Sequence, residues 1–174
     1  MTETASKGGL MAGRRGLIMG VANERSIAWS VASALAREGA QLAFTYQSDA
    51  MSKRVIPLAA SVGSDFTLEC DVANDADLDA VFAKIKQTWG HLDFVVHAIA
   101  YSDKNELKGR YADTTRQNFL ETMDISCFSF TNVARRATVL MGTGGSLITL
   151  SYLGSVRTIP NYNVMGVAKA ALEA

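Results

Sequence analysis

Tyr162 and Lys169 stand seven positions apart, so on a helix their side chains share one face two turns apart. A phenol is a weak acid at neutral pH, with a free pKa of about 10. A neighbouring cation favours its phenolate form and eases proton exchange, and a lysine offers several donors to ribose hydroxyls. The pair therefore suits proton handling at a reacting group. Tyr152 lies ten residues before Tyr162 and supplies a second phenol. Taken alone, the same spacing also describes a helix with a surface Tyr and a surface Lys.

A second group of residues suits a dinucleotide. Gly20 ends an apolar run and lets the backbone turn sharply and approach a ligand closely. A helix starting near Ser26 and Ile27 points free N–H groups and a positive dipole end at the same place, which fits a pyrophosphate. Only Gly20 of the usual glycine triplet is present, and Ser26 also reads as a helix N-cap. Gln47, after the second strand, can hydrogen-bond a ribose diol; no Arg or Lys follows immediately to pair with a 2′-phosphate, which favours NADH over NADPH. Gln47 also reads as a solvated strand-end residue. Asp71, followed by Val72, can accept from an adenine amino group or cap a turn. Ala98-Ile99-Ala100 after the fourth strand leave room for the nicotinamide ribose. His97 before them reads as a structural, hydrogen-bonded histidine. Ser102 is either a substrate contact or an ordinary loop residue. No metal site is expected.

These residues need a scaffold that gathers them. Leu17-Ile18-Met19, 41–46, 66–70, 92–97 and 146–150 read as short, nearly continuous apolar strands. Between them, Ile27, Ala28, Val31, Ala32 and Leu35 recur at helical spacing and stop at Gly39. A helix over 51–62 is weakened by Pro57. Leu78, Val81, Phe82 and Ile85 mark a helix opened by Asp75 and Asp77 and closed near Gly90. A long helix is expected over 113–140 and a last one from 161 onward. Strand and helix alternate five times. The expected fold is an α/β doubly wound parallel sheet with helices on both faces, Rossmann-like, in one domain over 14–174 after a flexible leader over 1–13. Ligands in such sheets bind beyond the carboxyl ends of the strands, where all the candidate residues fall.

Composition bounds the remaining classes. Among 174 residues Lys+Arg and Asp+Glu are both 17, which gives no electrostatic case for a nucleic-acid or membrane partner. The first residues lack the apolar core of a secretory signal, and no apolar run is long enough to span a bilayer. A cytoplasmic protein is expected, with Cys70 and Cys127 as free, buried thiols.

Several motifs together resemble one family. Gly20-x5-Ser26-Ile27-Ala28, Thr45-Tyr46-Gln47, Cys70-Asp71-Val72, His97-Ala98-Ile99-Ala100, Asp124-Ile125-Ser126, and above all Ser151-Tyr152-Leu153-Gly154 with 159–166 and Lys169 resemble the bacterial NADH-dependent enoyl-acyl-carrier-protein reductases of the short-chain dehydrogenase/reductase superfamily. Carbonyl-reducing members of the superfamily carry a catalytic Ser where this chain has Thr149; here a second tyrosine, Tyr152, appears instead. Ala98 and Ala100 stand where the relatives often have Ser and Gly. The resemblance implies reduction of the C2–C3 double bond of a trans-2-enoyl thioester with NADH, the last step of each fatty-acid elongation cycle. Tyr152, Tyr162 and Lys169 would be the catalytic residues. Gly20, Ser26, Ile27, Gln47, Asp71, Val72, Ile99 and Lys169 would hold the cofactor, and Ser102 would touch the substrate. It also implies an enoyl-acyl-carrier protein as partner and a homotetramer assembled through the helix over 113–140 and the helix after Tyr162.

The family continues well beyond the position of Ala174, with further strands and a substrate-covering helix. The chain by itself is therefore expected to leave an apolar sheet edge open, to fold poorly and to have little activity. Two other readings make different predictions. A carbonyl or alcohol dehydrogenase would depend on Thr149 rather than Tyr152. A non-catalytic nucleotide-binding protein would bind NADH without turnover.

Overall fold

A computed structural model describes residues 9–174. Five parallel strands, β1 (Arg15–Met19), β2 (Gln41–Tyr46), β3 (Thr67–Glu69), β4 (Phe94–His97) and β5 (Ser146–Thr149), form one sheet in the order β3-β2-β1-β4-β5. The chain starts in the middle, winds outward to β3, then returns across β1 to β4 and β5. That reversal opens a crevice between the carboxyl ends of β1 and β4. The doubly wound parallel fold expected from the apolar strands is the one observed.

Both faces of the central strands β2, β1 and β4 are covered, which is why these strands are apolar at successive positions rather than alternating. Leu17, Met19 and Val95 face a cluster with Leu78, Val81, Ile85 and Val133 from α3 (Asp75–Trp89) and α5 (Ser129–Thr138). Ile18, Phe44 and Val96 face the opposite cluster, with Ala28 and Ala32 of α1 (Ile27–Arg37) and Val55 and Ala59 of α2 (Asp49–Ser61). Helix α3 follows the signals in its sequence. Asn74 accepts from the Ala76 N–H, acidic residues fill the first turn, and Gly90 ends it in the left-handed region. Helix α2 runs through Pro57 and starts two residues earlier than expected.

Three expectations are corrected. The helix expected over 113–140 spans α4 (Arg116–Met123), a π-helical turn (Asp124–Phe128) and α5. Thr115 stops its upstream growth by accepting from the Asn118 N–H, and residues Tyr111–Asp113 form a separate 3-10 turn. The last helix, α6 (Asn163–Glu173), starts two residues late, because Asn161 and Asn163 have φ of 59° and 29°. Cys127 is partly exposed, whereas Cys70 is buried; both thiols are free.

Of the leader over 1–13, residues 1–8 lie outside the described residues. Residues 9–13 form a turn tied to the end of α1: the Met11 N–H donates to the Glu38 carbonyl at 3.0 Å and the Leu10 N–H to its carboxylate at 3.1 Å. At the far side of the sheet β5 pairs only with β4 among the described residues, and Ile148 is 43% exposed there.

Candidate active site

The register places the site. Met19 pairs with His97, and His97 with Thr149, so Gly20, Ala98 and Leu150 emerge side by side at the carboxyl end of the sheet. Gly20 has φ of +93°, and a Cβ on it would lie 2.1 Å from the Ala98 carbonyl oxygen. Two strand ends meet there with room for backbone only, which is the close approach a bound pyrophosphate needs.

Beyond them lies an open cavity of about 560 Å³, walled by the turn after β1, the ends of β2 and β3, and the segment after β4. Gly20, Gln47, Asp71, Val72 and Ile99 all line it. Gln47 Nε2 donates to the Asp71 carboxylate at 3.2 Å, so the two polar residues form one patch across the β2 and β3 ends. Asp71 also accepts from the Ala73 N–H, so the turn-capping role suggested for it is present as well. Cys70 lines the same wall; burial pushes its thiol up to about 12, helped by Asp77 and Asp71, which leaves it unreactive.

Ser26 and Ile27 are not in the cavity wall. The Ser26 hydroxyl donates to the Asn23 carbonyl at 2.7 Å, and no side chain caps α1. The N-cap bond expected of Ser26 is thus absent, and the helix start keeps its first amides free for an anion. Ile27 is 62% exposed beside it. The Ser102 hydroxyl points inward, donating to Asn118 Oδ1 at 3.3 Å and accepting from Thr122 at 2.9 Å.

The cavity wall after β4 has a support inside the fold. Ser126, fully buried in the π-helical turn, accepts from the Tyr101 N–H at 2.9 Å and donates to the Tyr101 carbonyl at 2.8 Å. Ile125, one residue before it, lines the cavity. The extra residue of a π turn redirects side chains that an α-helix would place elsewhere. The only sequence signal was the motif Asp124-Ile125-Ser126 itself.

Tyr152 and Tyr162 pair beyond β5, and Lys169 bonds the residue that follows that strand; none of the three is in the cavity wall. The two phenol rings meet edge to face, with centroids 4.9 Å apart. The Tyr162 ring lies over Gly154, where a Cβ would come within 2.4 Å of Cδ1. Lys169 is 6% exposed, and its Nζ donates to the Leu150 carbonyl at 2.7 Å. Burial lowers its pKa, with Cys127 and Glu173 working against that shift. Glu173 in turn accepts from Ser151.

One electrostatic expectation is corrected. Lys169 does not draw Tyr162 toward phenolate. Burial, then the neighbouring Tyr152, raise the Tyr162 pKa. Held up in this way, Tyr162 is a neutral O–H donor at physiological pH, suited to donating to an oxyanion rather than removing a proton. His97 is fully buried, bonded to Ser129 at 2.9 Å through Nε2 and to Thr149 at 3.4 Å through Nδ1. Burial, with some help from Lys169, pushes its pKa down to about 4, so it is the neutral structural histidine that was expected.

The sequence matches the family described as enoyl-(acyl carrier protein) reductase over residues 20–174. It is 68% identical over 166 residues to enoyl-(acyl-carrier-protein) reductase (NADH) 2 of Rhizobium meliloti, covering 95% of this chain and 62% of that protein. The Anaplasma phagocytophilum enoyl-(acyl-carrier-protein) reductase, solved in complex with NAD, superposes with a TM-score of 0.93 at 55% identity, over 95% of this chain and 63% of that one. The Bacillus cereus enzyme, solved with NADP+ and an indole naphthyridinone, gives 0.92 at 47% identity, over 95% and 65%. The chain spans about 62% of the length of the curated relatives it matches. With the match running unbroken from the Gly20 turn to Ala174, the chain belongs to the enoyl-(acyl carrier protein) reductase family.

Proposed function

We propose that the protein reduces the C2–C3 double bond of trans-2-enoyl thioesters on acyl-carrier protein with NADH, closing each round of fatty-acid elongation. One observation carries this reading. Two phenols stand edge to face at the end of β5, while Thr149, at the position of the carbonyl-reducing serine, faces His97.

The cradle fits the cofactor. Backbone-only clearance at Gly20, the uncapped start of α1 and the Gln47–Asp71 patch suit pyrophosphate, ribose and adenine in turn. Gly20, Gln47, Asp71, Val72 and Ile99 hold NADH from the cavity wall, with Ser26 and Ile27 at the start of α1. When bound, NADH supplies the hydride that goes to C3. The electron pair of the double bond then moves toward the thioester oxygen. Tyr162 donates its O–H to that oxygen and steadies the charge where it develops. Lys169 holds the ribose and the end of β5. Tyr152 packs against Tyr162, sets its angle and helps deliver the proton to C2. Ser102, expected to touch the substrate, instead supports the loop after β4 from within through Asn118 and Thr122.

Names of relatives bear on the cofactor and substrate: Rhizobium meliloti proteins at 68% and 59% identity carry both NADH and enoyl-acyl-carrier-protein in theirs. The enzyme is placed in the cytoplasm by this reading. No helix among the described residues is long and apolar enough to cross a membrane. Leu120, Phe128 and Val139 on α4, the π turn and the end of α5 are more than half exposed, which suits a homotetramer formed through that rod.

The test follows NADH absorbance in protein expressed from its complete reading frame, with a trans-2-enoyl thioester and with a panel of ketones. Thioester-dependent oxidation, lost in Tyr162→Phe and Lys169→Ala, is expected. Ketone reduction that depends on Thr149, or NADH binding without turnover, refutes it.

A further inference from the structure

Tyr162 sits between two backbones of unusual shape. Asn161 has φ of 59° and Asn163 has φ of 29°, the only positive values outside glycine among the described residues. A side chain at such an angle is strained unless its surroundings hold it, and asparagine tolerates it better than most residues. What holds Asn163 is a loop from another part of the chain. Its Nδ2 lies 3.1 Å from the Glu106 carbonyl, 3.3 Å from that of Lys108 and 3.5 Å from that of Gly109. Three carbonyls converge on one amide, a target only a donor can satisfy.

The same loop is fastened at its other side. The Glu106 carboxylate accepts from the Thr115 N–H at 2.8 Å and from its hydroxyl at 2.9 Å, just where Thr115 caps α4. Glu106 thus holds α4 through its side chain and α6 through its backbone. The segment leaving β4 passes the cavity wall at Tyr101, bonds Asn118 at Asp103, and ends on the residue next to Tyr162.

We propose that Asn163 is a positioning residue, one that couples the loop over 103–110 to Tyr162 and fixes where the phenol meets the thioester oxygen. This role rests on the proposed enoyl reduction. Asn163 does not line the nucleotide cavity, and its amide is taken up by the loop carbonyls, so it acts through Tyr162 and the loop. Nucleotide affinity should be insensitive to it, because the walls of that cavity are anchored to β1, β2, β3 and Ser126.

Two substitutions separate backbone from amide. Asn163→Gly keeps the positive φ and removes the donor. Asn163→Asp keeps the shape and turns an acceptor toward three carbonyls. In protein expressed from its complete reading frame, three quantities are read: amide hydrogen exchange of the loop, kcat and KM for a trans-2-enoyl thioester, and NADH affinity by fluorescence. Both variants should speed exchange over 104–110 by about tenfold and lower kcat by about 10- to 100-fold, as expected for a phenol displaced by about 1 Å. The NADH dissociation constant should stay within about twofold and amide protection in β1 and β4 should be unchanged. Unchanged loop exchange in Asn163→Gly overturns the proposal. So does a loss of NADH affinity and sheet protection in step with kcat, which is a general structural defect. Wild-type protein that binds NADH without reducing the thioester defeats the enoyl-reductase reading, and with it the catalytic purpose given to Asn163, while the exchange measurement still decides the tether.

Discussion

Replacing Gly154 by alanine tests the site with a single methyl group. The added Cβ would stand 2.4 Å from Tyr162 Cδ1 and 2.6 Å from Cε1, about 1 Å inside ordinary contact. The backbone at Gly154 does not need a left-handed angle, so alanine is conformationally acceptable. The strain therefore falls on the ring. Tyr162 is only half-buried and can swing away from the methyl group into solvent. The change in folding stability should stay within about 1 kcal/mol, since loss of glycine freedom in the unfolded chain offsets part of the clash. The rate should not stay level, because displacing a reacting donor by about 1 Å costs on the order of 100-fold. The assay is thioester-dependent NADH oxidation alongside a urea titration, with Gly154→Ser as a second probe of the same direction. A variant with normal stability and undiminished kcat would refute the claim that the Tyr162 position is set by its seat on Gly154. A loss of rate fully matched by unfolding would refute it as well.

Other substitutions probe the remaining supports. His97 is held at about 4 in the folded protein against 6.5 when free, so the unfolded chain takes up a proton that the folded one refuses. Its contribution is complete above about pH 6.5 and is lost as pH falls toward 4, up to about 3 kcal/mol, and His97→Asn should flatten that part of a urea-midpoint profile. Ser126→Ala strands the Tyr101 N–H and carbonyl and should cost about 1–3 kcal/mol in chemical denaturation, with NADH affinity weakened about tenfold. Gly20→Ala meets both a positive φ and the Ala98 carbonyl, so it should abolish NADH binding measured by calorimetry even where circular dichroism shows a folded sheet.

The strands were legible because a parallel sheet buried on both faces writes itself as continuous apolar runs, and the β1, β4 and β5 runs point at one crevice. The cavity residues Gly20, Gln47, Asp71 and Ile99 followed from the positions of strand ends. Helix limits were less legible where a side chain from elsewhere decides them. Glu106 reaches nine residues along the chain to the Thr115 cap, and no local pattern announces that bond. The π turn was invisible because one extra residue leaves the apolar spacing nearly intact while redirecting Ser126. The spacing of Tyr162 and Lys169 was readable, but the electrostatic consequence was not. That depends on burial of the Tyr162 phenol and on Tyr152 beside it, neither of which the spacing reveals.

The π turn divides one rod into two halves with different neighbours, α4 against α6 and α5 against α3. Each residue in a helix turns the chain by about 100°. Deleting one codon between Asp124 and Phe128 would leave the rod helical throughout yet rotate its first half by that angle about the common axis. Asn118 and Thr122 would swing off the loop they now anchor, while α5 kept its grip on α3. The fold thus carries a phase setting, and drift in length at this point in the gene would re-aim Glu121 and Ile125 in the cavity wall while leaving the β1, β2 and β3 ends as they are.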